Sequence, residues 1–385
     1  MRLIALVCLL LLPAAARAQD AHTHESSGAP GWHLTWGTQV FVTFNAQVRK
    51  FTDFHQVEST GLVMAAARRT WTSTSAGLHL MVSPEPFTMR ALGSAQVFQE
   101  GESFGGLPLR DYQHPHDLFM AIEGDLTRRL TPRAEFWLRG GPVSAPALGP
   151  TAFMHRPSAM GHPTSPLTHH VLDSSHITHG AVTLGGRVDA WSVEASVFQG
   201  REPDEFRRDL DLGPLDSVAG RVAWTRGPWR AQASAAHVVN PEPLEPGDVT
   251  RVTASLEHTT TDPATKSTRA WTIAVGRNGR ANHDEWGALF EVTRPLSARW
   301  RLYGRAEIID RYILVDFDHA ARTGEERHFR SRVGALLAGA ERHLLSGRLG
   351  DLALAGDLTL HHTPANLRDS YGAPVSVHIF LRLTR

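Results

Sequence analysis

Residues 300–308 read Trp300-Arg301-Leu302-Tyr303-Gly304-Arg305-Ala306-Glu307-Ile308. Successive side chains of an extended strand point to opposite faces. Trp300, Leu302, Ala306 and Ile308 therefore fall on one face, and Arg301, Tyr303, Arg305 and Glu307 on the other. The same alternation recurs outward from this stretch. Trp229, Ala231, Ala233 and Ala235 interleave with Arg230, Gln232 and Ser234. Trp191, Val193, Ala195 and Val197 interleave with Ser192, Glu194 and Ser196. It appears again in 251–257, in 352–360, and in the closing Val375 to Thr384. Helical periodicity of comparable length is absent, so the fold class is all-β.

The strands pair into hairpins of consistent asymmetry. Short turns fall near Thr131-Pro132, Gly185-Gly186, Gly227-Pro228, Pro295-Leu296 and Ser346-Gly347, where Gly and Pro supply turn geometry. Longer polar connections fall at about 84–115, 141–175, 201–216, 240–249, 311–328 and 361–373. Hairpins plus a first strand near 36–50 and a last near 374–384 give about sixteen strands. An even count with short turns at one rim and long loops at the other is the layout of an antiparallel up-and-down transmembrane barrel, with periplasmic turns and outer loops. Trp36, Trp71, Trp191, Trp224, Trp229, Trp271 and Trp300 all lie at the short-turn rim, as an interfacial aromatic girdle requires. A soluble sandwich has no reason to keep its Trp at one end.

Composition narrows the function. Among 385 residues, 39 basic side chains balance 39 acidic ones, which argues against nucleic acid as a partner. The single cysteine, Cys8, lies in Met1–Ala18, which reads as a signal peptide: Arg2, an apolar Leu3–Leu12, and Ala16-Arg17-Ala18 before the cut. Beyond it no apolar run is long enough for a helical span. The expected organisation is a signal peptide (1–18), a periplasmic N-terminal segment (19–35) and a barrel domain (36–385) exported to a bacterial outer membrane.

If the apolar register meets outer-membrane lipid, the other register lines the lumen. Glu123, Asp125, Glu135, Arg139, Arg221, Arg230, Arg251, Glu257, Arg301, Arg305, Glu307, Arg330 and Arg332 are the expected pore-lining charges, of both signs. A barrel of this size has room for water, so such charges are either a solute-selecting lining or a paired network holding the barrel round. The first reading makes the protein a porin-like passive channel for small polar solutes, constricted by the long 141–175 loop. It requires no cofactor.

Histidines concentrate between 114 and 179, in two long loops flanking one hairpin and so emerging on the same rim. His114, His116, Asp117, Met154, His155, Met160, His162, His169 and His170 are candidate ligands for Cu or Zn, imidazole and carboxylate suiting Zn2+ or Cu2+ and thioether suiting Cu+. His22-Thr23-His24-Glu25 is a further candidate tether. A competing explanation is that these polar loops satisfy one another by hydrogen bonding; no fixed metalloenzyme spacing is present. A second alternative is an outer-membrane hydrolase built on Asp173, Ser174, Ser175 and His176, with His169 or His170 assisting. No G-x-S-x-G elbow accompanies them, and adjacent residues on an extended chain diverge.

Three segments carry a resemblance: Gln113-His114-Pro115-His116-Asp117-Leu118-Phe119-Met120, residues 146–159 (PALGPTAFMHRPSA) and Phe198-Gln199-Gly200-Arg201-Glu202-Pro203-Asp204-Glu205. With them, the chain from about residue 80 onward resembles an uncharacterised family of exported bacterial outer-membrane β-barrel proteins. The resemblance implies an envelope barrel and transfers no catalytic residue. Many outer-membrane barrels finish on an aromatic residue that the barrel-assembly machinery reads, whereas this chain ends Leu383-Thr384-Arg385. Oligomeric state is left open.

Overall fold

The computed structural model describes residues 31–385 apart from 316, 326–327 and 349. The expected signal peptide, His22 and His24 therefore lie outside the described residues. The chain opens with β1 (Trp32–Arg49), β2 (Thr52–Thr70) and β3 (Thr74–Val82), so β1 starts at Trp32 rather than at 36. A first insertion follows, holding the short helix α1 (Glu85–Thr88) and a hairpin, β4 (Ser94–Phe104) and β5 (Leu107–Gln113). Then come β6 (Phe119–Thr131) and β7 (Ala134–Val143), and a second insertion with the one-turn helix α2 (His169–Leu172) and a 3-10 turn at Ser174–His176. The chain continues through β8 (Ala181–Val188), β9 (Trp191–Phe198), β10 (Ser217–Arg226), β11 (Trp229–Val238), β12 (Val249–Thr261) and β13 (Thr268–Gly279). It ends with β14 (Asp284–Pro295), β15 (Trp300–Val315), α3 (Phe317–Thr323), β16 (His328–Gly347), β17 (Gly350–His362), α4 (Arg368–Tyr371) and β18 (Val375–Thr384).

All strands but β4 and β5 form one closed antiparallel barrel of sixteen, with β1 sealed against β18 from Gln39↔Thr384 to Val48↔Val375. Closure leaves no edge, which is what a strand structure in hydrocarbon needs. The barrel is inside-out relative to a soluble protein. Val42, Phe44, Val193, Ile273 and Leu381 are exposed, whereas Thr43, Asn45, Gln47, Thr253, Thr272 and Glu291 are buried. Trp224 pairs with Trp191, and the Trp229 and Trp271 rings are 5.5 Å apart, forming a continuous arc of the aromatic rim.

The structure corrects the expected positions in three places. Gly185 and Gly186 do not form a turn but lie inside β8, the turn being at Asp189-Ala190. Gly185 is small because the Trp137 indole lies across it, with a Cβ there meeting the ring at 2.3 Å. The loop expected at 84–115 contains the β4–β5 hairpin, whose two-residue turn Gly105-Gly106 has positive φ at both positions. Arg330 and Arg332 do not line the pore. They share the outward register with Leu336 near the outer end of β16, where Arg332 bonds Asp310 at 2.7 Å. The opposite, inward register of β16 holds Val333 and Leu337, both buried, so apolar residues occupy both faces and alternation alone does not tell them apart.

Candidate functional site

Both insertions fold into the lumen. Residues 144–180 cross it, and their anchors run round the wall. Ala147 N donates to Ser196 Oγ of β9 at 2.7 Å, and Gly149 N to Ser234 Oγ of β11 at 2.9 Å. Ser158 Oγ meets Thr272 Oγ1 of β13 at 2.8 Å, and His162 Nε2 lies 3.1 Å from Asp357 of β17. Gln39 of β1 donates to the Met160 carbonyl. The deepest anchor is Arg156, fully buried, whose Nε donates to Glu291 of β14 at 2.7 Å while another guanidinium nitrogen donates to Asp173 at 3.1 Å. The β4–β5 hairpin is held by Asn45, which donates to the Ala95 carbonyl at 2.8 Å, and by Arg311, which donates to the Phe98 carbonyl at 2.9 Å.

The wall is cut to receive this segment. Gly276 and Gly287 are cross-strand partners facing inward, and a Cβ on either would meet Val171 of α2 at 2.3 or 2.6 Å. Val171, Leu172 and Leu167 pack with Val97, Phe98, Ile309 and Tyr371 into an apolar cluster inside the barrel.

The remaining expected pore-lining residues do face inward, and most are partnered. Arg221 pairs with Glu194 at 2.6 Å, Asp125 with Arg68 at 3.0 Å, and Glu135 with Arg187 at 3.1 Å. Arg301 reaches Glu341 at 2.7 Å, and Arg305 reaches Glu291 at 2.9 Å. Glu307 accepts from Thr168 N at 2.9 Å, Arg139 donates to the Ala145 carbonyl at 3.0 Å, and Glu123 accepts from Ser144. Arg230 faces Glu257 across the β11–β12 pairing. Arg251 donates to Asn278 at 2.8 Å and to Ser174 Oγ at 2.7 Å.

The expected metal candidates divide. His114, His116, Asp117, His169 and His170 line one pocket at the outer mouth, together with His176, Ser174, Ser175, Glu202, Arg207 and Arg251. Met154, His155, Met160 and His162 are not among its lining. Met154 is buried with Leu62, Met81 and Met120; Met160 offers its carbonyl to Gln39; His155 is exposed elsewhere on the segment. His162 lies deeper, joined to Asp357, which His378 also approaches at 2.7 Å. The sequence reading missed His176 as a ligand candidate and Glu85 as its neighbour's support. The tight turn after Asp173 that swings His176 back is the signal that would have found it.

The proton positions follow from partners that only accept. His116 Nδ1 lies 3.0 Å from Glu85, His169 Nδ1 2.7 Å from Asp173, His114 Nδ1 3.0 Å from the Pro115 carbonyl, and His176 Nδ1 2.8 Å from the Asp173 carbonyl. Burial pushes His169, His170 and His176 below the ordinary histidine value and keeps them neutral. Burial works against charge on His116 too, but Glu85 outweighs it and holds His116 above that value. Asp173 is likewise opposed by burial, but His169 and Arg156 hold it below the usual carboxylate range. The serine relay is not assembled: Ser174 and Ser175 accept from Arg251, and His176 turns its Nδ1 to a backbone carbonyl.

No protein-family model and no curated protein matches the chain. Solved structures do. An anion-selective porin from Comamonas acidovorans superposes with a TM-score of 0.55 at 10% identity, covering 92% of this chain and 100% of that one. OmpF of Salmonella typhi, in complex with daunomycin, gives 0.55 at 6% identity over 91% and 97%. OprB of Pseudomonas putida gives 0.54 at 10% identity over 92% and 94%. The chain shares the porins' fold. At these identities the likeness concerns architecture alone.

Proposed function

We propose that the protein is a porin-like barrel of a bacterial outer membrane that passes small polar solutes through a lumen constricted by residues 144–180. The observation that carries the reading is the crossing of the lumen by that segment, tied to inward side chains from β9 round to β1. The inside-out burial pattern supports a barrel seated in lipid, and the polar inner face suits water and small solutes. Because inward charges are mostly ion-paired, they hold the passage in shape and leave a modest net field, so selection by size outweighs selection by charge.

The test is conductance in planar bilayers, comparing the wild type with a variant in which Gly287→Leu and Arg156→Met release the segment. The reading expects small unitary steps from the wild type and several-fold larger ones from the variant. Equal steps would remove the segment from the pathway, and silence from both would remove the channel.

A further inference from the structure

The outer-mouth pocket is built from both insertions. His116 comes from the first, and His169, His170 and His176 come from the second. His116 and His169 are backed by carboxylates, Glu85 and Asp173, and His176 by the Asp173 carbonyl, so each presents Nε2 away from its support. That arrangement, an Nδ1–H fixed by a carboxylate or carbonyl behind a free Nε2, orients histidine as a metal ligand. The Nε2 atoms of His116, His170 and His176 are buried and have no hydrogen-bond partner among the described residues. Buried polar atoms are ordinarily satisfied, so three unsatisfied imidazole nitrogens on one pocket call for a guest.

Three of the six ring pairs already have the spacing of a shared ion. Imidazoles bound at about 2.0–2.1 Å around a tetrahedral ion place their ring centres about 5 Å apart. The His169 and His176 rings are 5.1 Å apart, His169 and His170 5.4 Å, and His116 and His176 5.6 Å. A ring nitrogen of His170 and carboxylate oxygens of Glu202 and Glu242 lie within 4.8 Å of one another, whereas no three of the four histidines bring their donor atoms as close among the described residues, so the ion would draw them in by ring rotation.

We propose that this pocket binds a divalent transition-metal ion of the Zn2+ or Cu2+ class through imidazole nitrogens of His116, His169, His170 and His176, with Glu202 as the carboxylate donor beside them. Imidazole-rich donor sets favour these ions over Mg2+ or Ca2+, which take oxygen. Because the ligands come from two insertions, the bound ion pins the first insertion to the second at the mouth. The separate His162–Asp357–His378 group is already closed by its own hydrogen bonds and latches the segment to β17 and β18.

The experiment uses the full-length barrel without a histidine tag, in a His22→Ala, His24→Ala background so that the N-terminal pair contributes nothing. Calorimetry with Zn2+, Cu2+ and Mg2+ reads affinity and stoichiometry. The expected result is one tight Zn2+ or Cu2+ ion per chain, no Mg2+ binding, and at least 100-fold weaker binding in a His116→Ala, His170→Ala, His176→Ala variant. A His162→Ala, His378→Ala variant keeps the wild-type affinity. Unchanged affinity in the triple variant, or affinity lost only in the double one, overturns the assignment. Electron paramagnetic resonance of the Cu2+-loaded protein decides independently of whether any variant folds. Nitrogen couplings from several imidazoles support the site, and oxygen-only coordination or no stoichiometric Cu2+ refutes it.

Discussion

Arg156→Met removes the deepest anchor of the lumen-crossing segment while keeping an unbranched, uncharged side chain in its place. Arg156 is completely buried, and the two carboxylates it holds, Asp173 and Glu291, are each about 1% exposed. Removing one partner of a buried pair costs about 3–5 kcal/mol because a desolvated charge is left behind. Here both carboxylates keep a second partner, His169 at 2.7 Å and Arg305 at 2.9 Å. The low end, about 3 kcal/mol, is therefore expected. At about 1.4 kcal/mol per tenfold, that raises the population of undocked segment on the order of 100-fold. Chymotrypsin cleavage at Phe153, Leu167 or Leu172, all buried when the segment is docked, tracks that population when opening is fast relative to cleavage. The barrel itself should remain folded, with unchanged strand content. A cleavage rate within twofold of wild type would refute the anchoring role, as would cleavage that moves to a different loop. Adding Glu291→Gln should cost little further, since coupled partners are not additive.

Three further outcomes are expected. Gly276→Leu introduces a side chain where Val171 O already stands 2.3 Å from a Cβ position, so it should displace α2 and expose the segment to protease while leaving the outer wall intact. Ile273→Arg, outward on β13 and 48% exposed, puts a cation toward the hydrocarbon at a cost of about 2–4 kcal/mol; denaturant titration in lipid should show that loss, whereas the same change at solvent-exposed Leu212 of an outer loop should not. For pH, His162, His169, His170 and His176 have folded values below the ordinary 6.5, so release of the segment takes up protons. Docking should weaken as pH falls below about 6.5. His116, raised by Glu85, gains its charge in the docked state above this window and contributes a constant amount below about 6.5, and Asp173, depressed by His169 and Arg156, stays ionised at both pH values compared. Faster chymotrypsin cleavage at pH 5 than at pH 7.5 checks the sign, and slower cleavage would reverse it.

The barrel was legible because an apolar outer face and a polar inner face impose a period of two on every strand, and Trp marks one rim. What was not legible follows from the same physics. The β4–β5 hairpin sits inside the lumen with protein on both faces, so Gln96, Gln99 and Glu100 are buried beside Val97 and Phe98 and no apolar–polar alternation survives. Gly185 reads like a turn residue, yet its smallness serves the Trp137 indole on the neighbouring strand. In β16 both registers hold apolar side chains, Val333 and Leu337 inward and Leu336 outward, so alternation alone could not assign Arg330 and Arg332 to a face. For the histidines, shared-rim reasoning brought His114, His116, His169 and His170 to one pocket, since both loops leave the same end of the barrel. It failed for His162, because a segment that crosses the lumen carries its middle away from the mouth to Asp357.

The central claim is that residues 144–180 lie across the lumen of a transmembrane barrel. Ser158 and Thr272 have their hydroxyl oxygens 2.8 Å apart, one on the segment and one on the wall, and the chain's single cysteine is Cys8. Ser158→Cys with Thr272→Cys, oxidised in intact outer membranes, should form an intrachain disulfide in high yield, seen as a mobility shift reversed by reductant. Two cysteines that stay free under oxidant, and that both label with a bulky water-soluble maleimide, would show that the segment does not occupy the lumen.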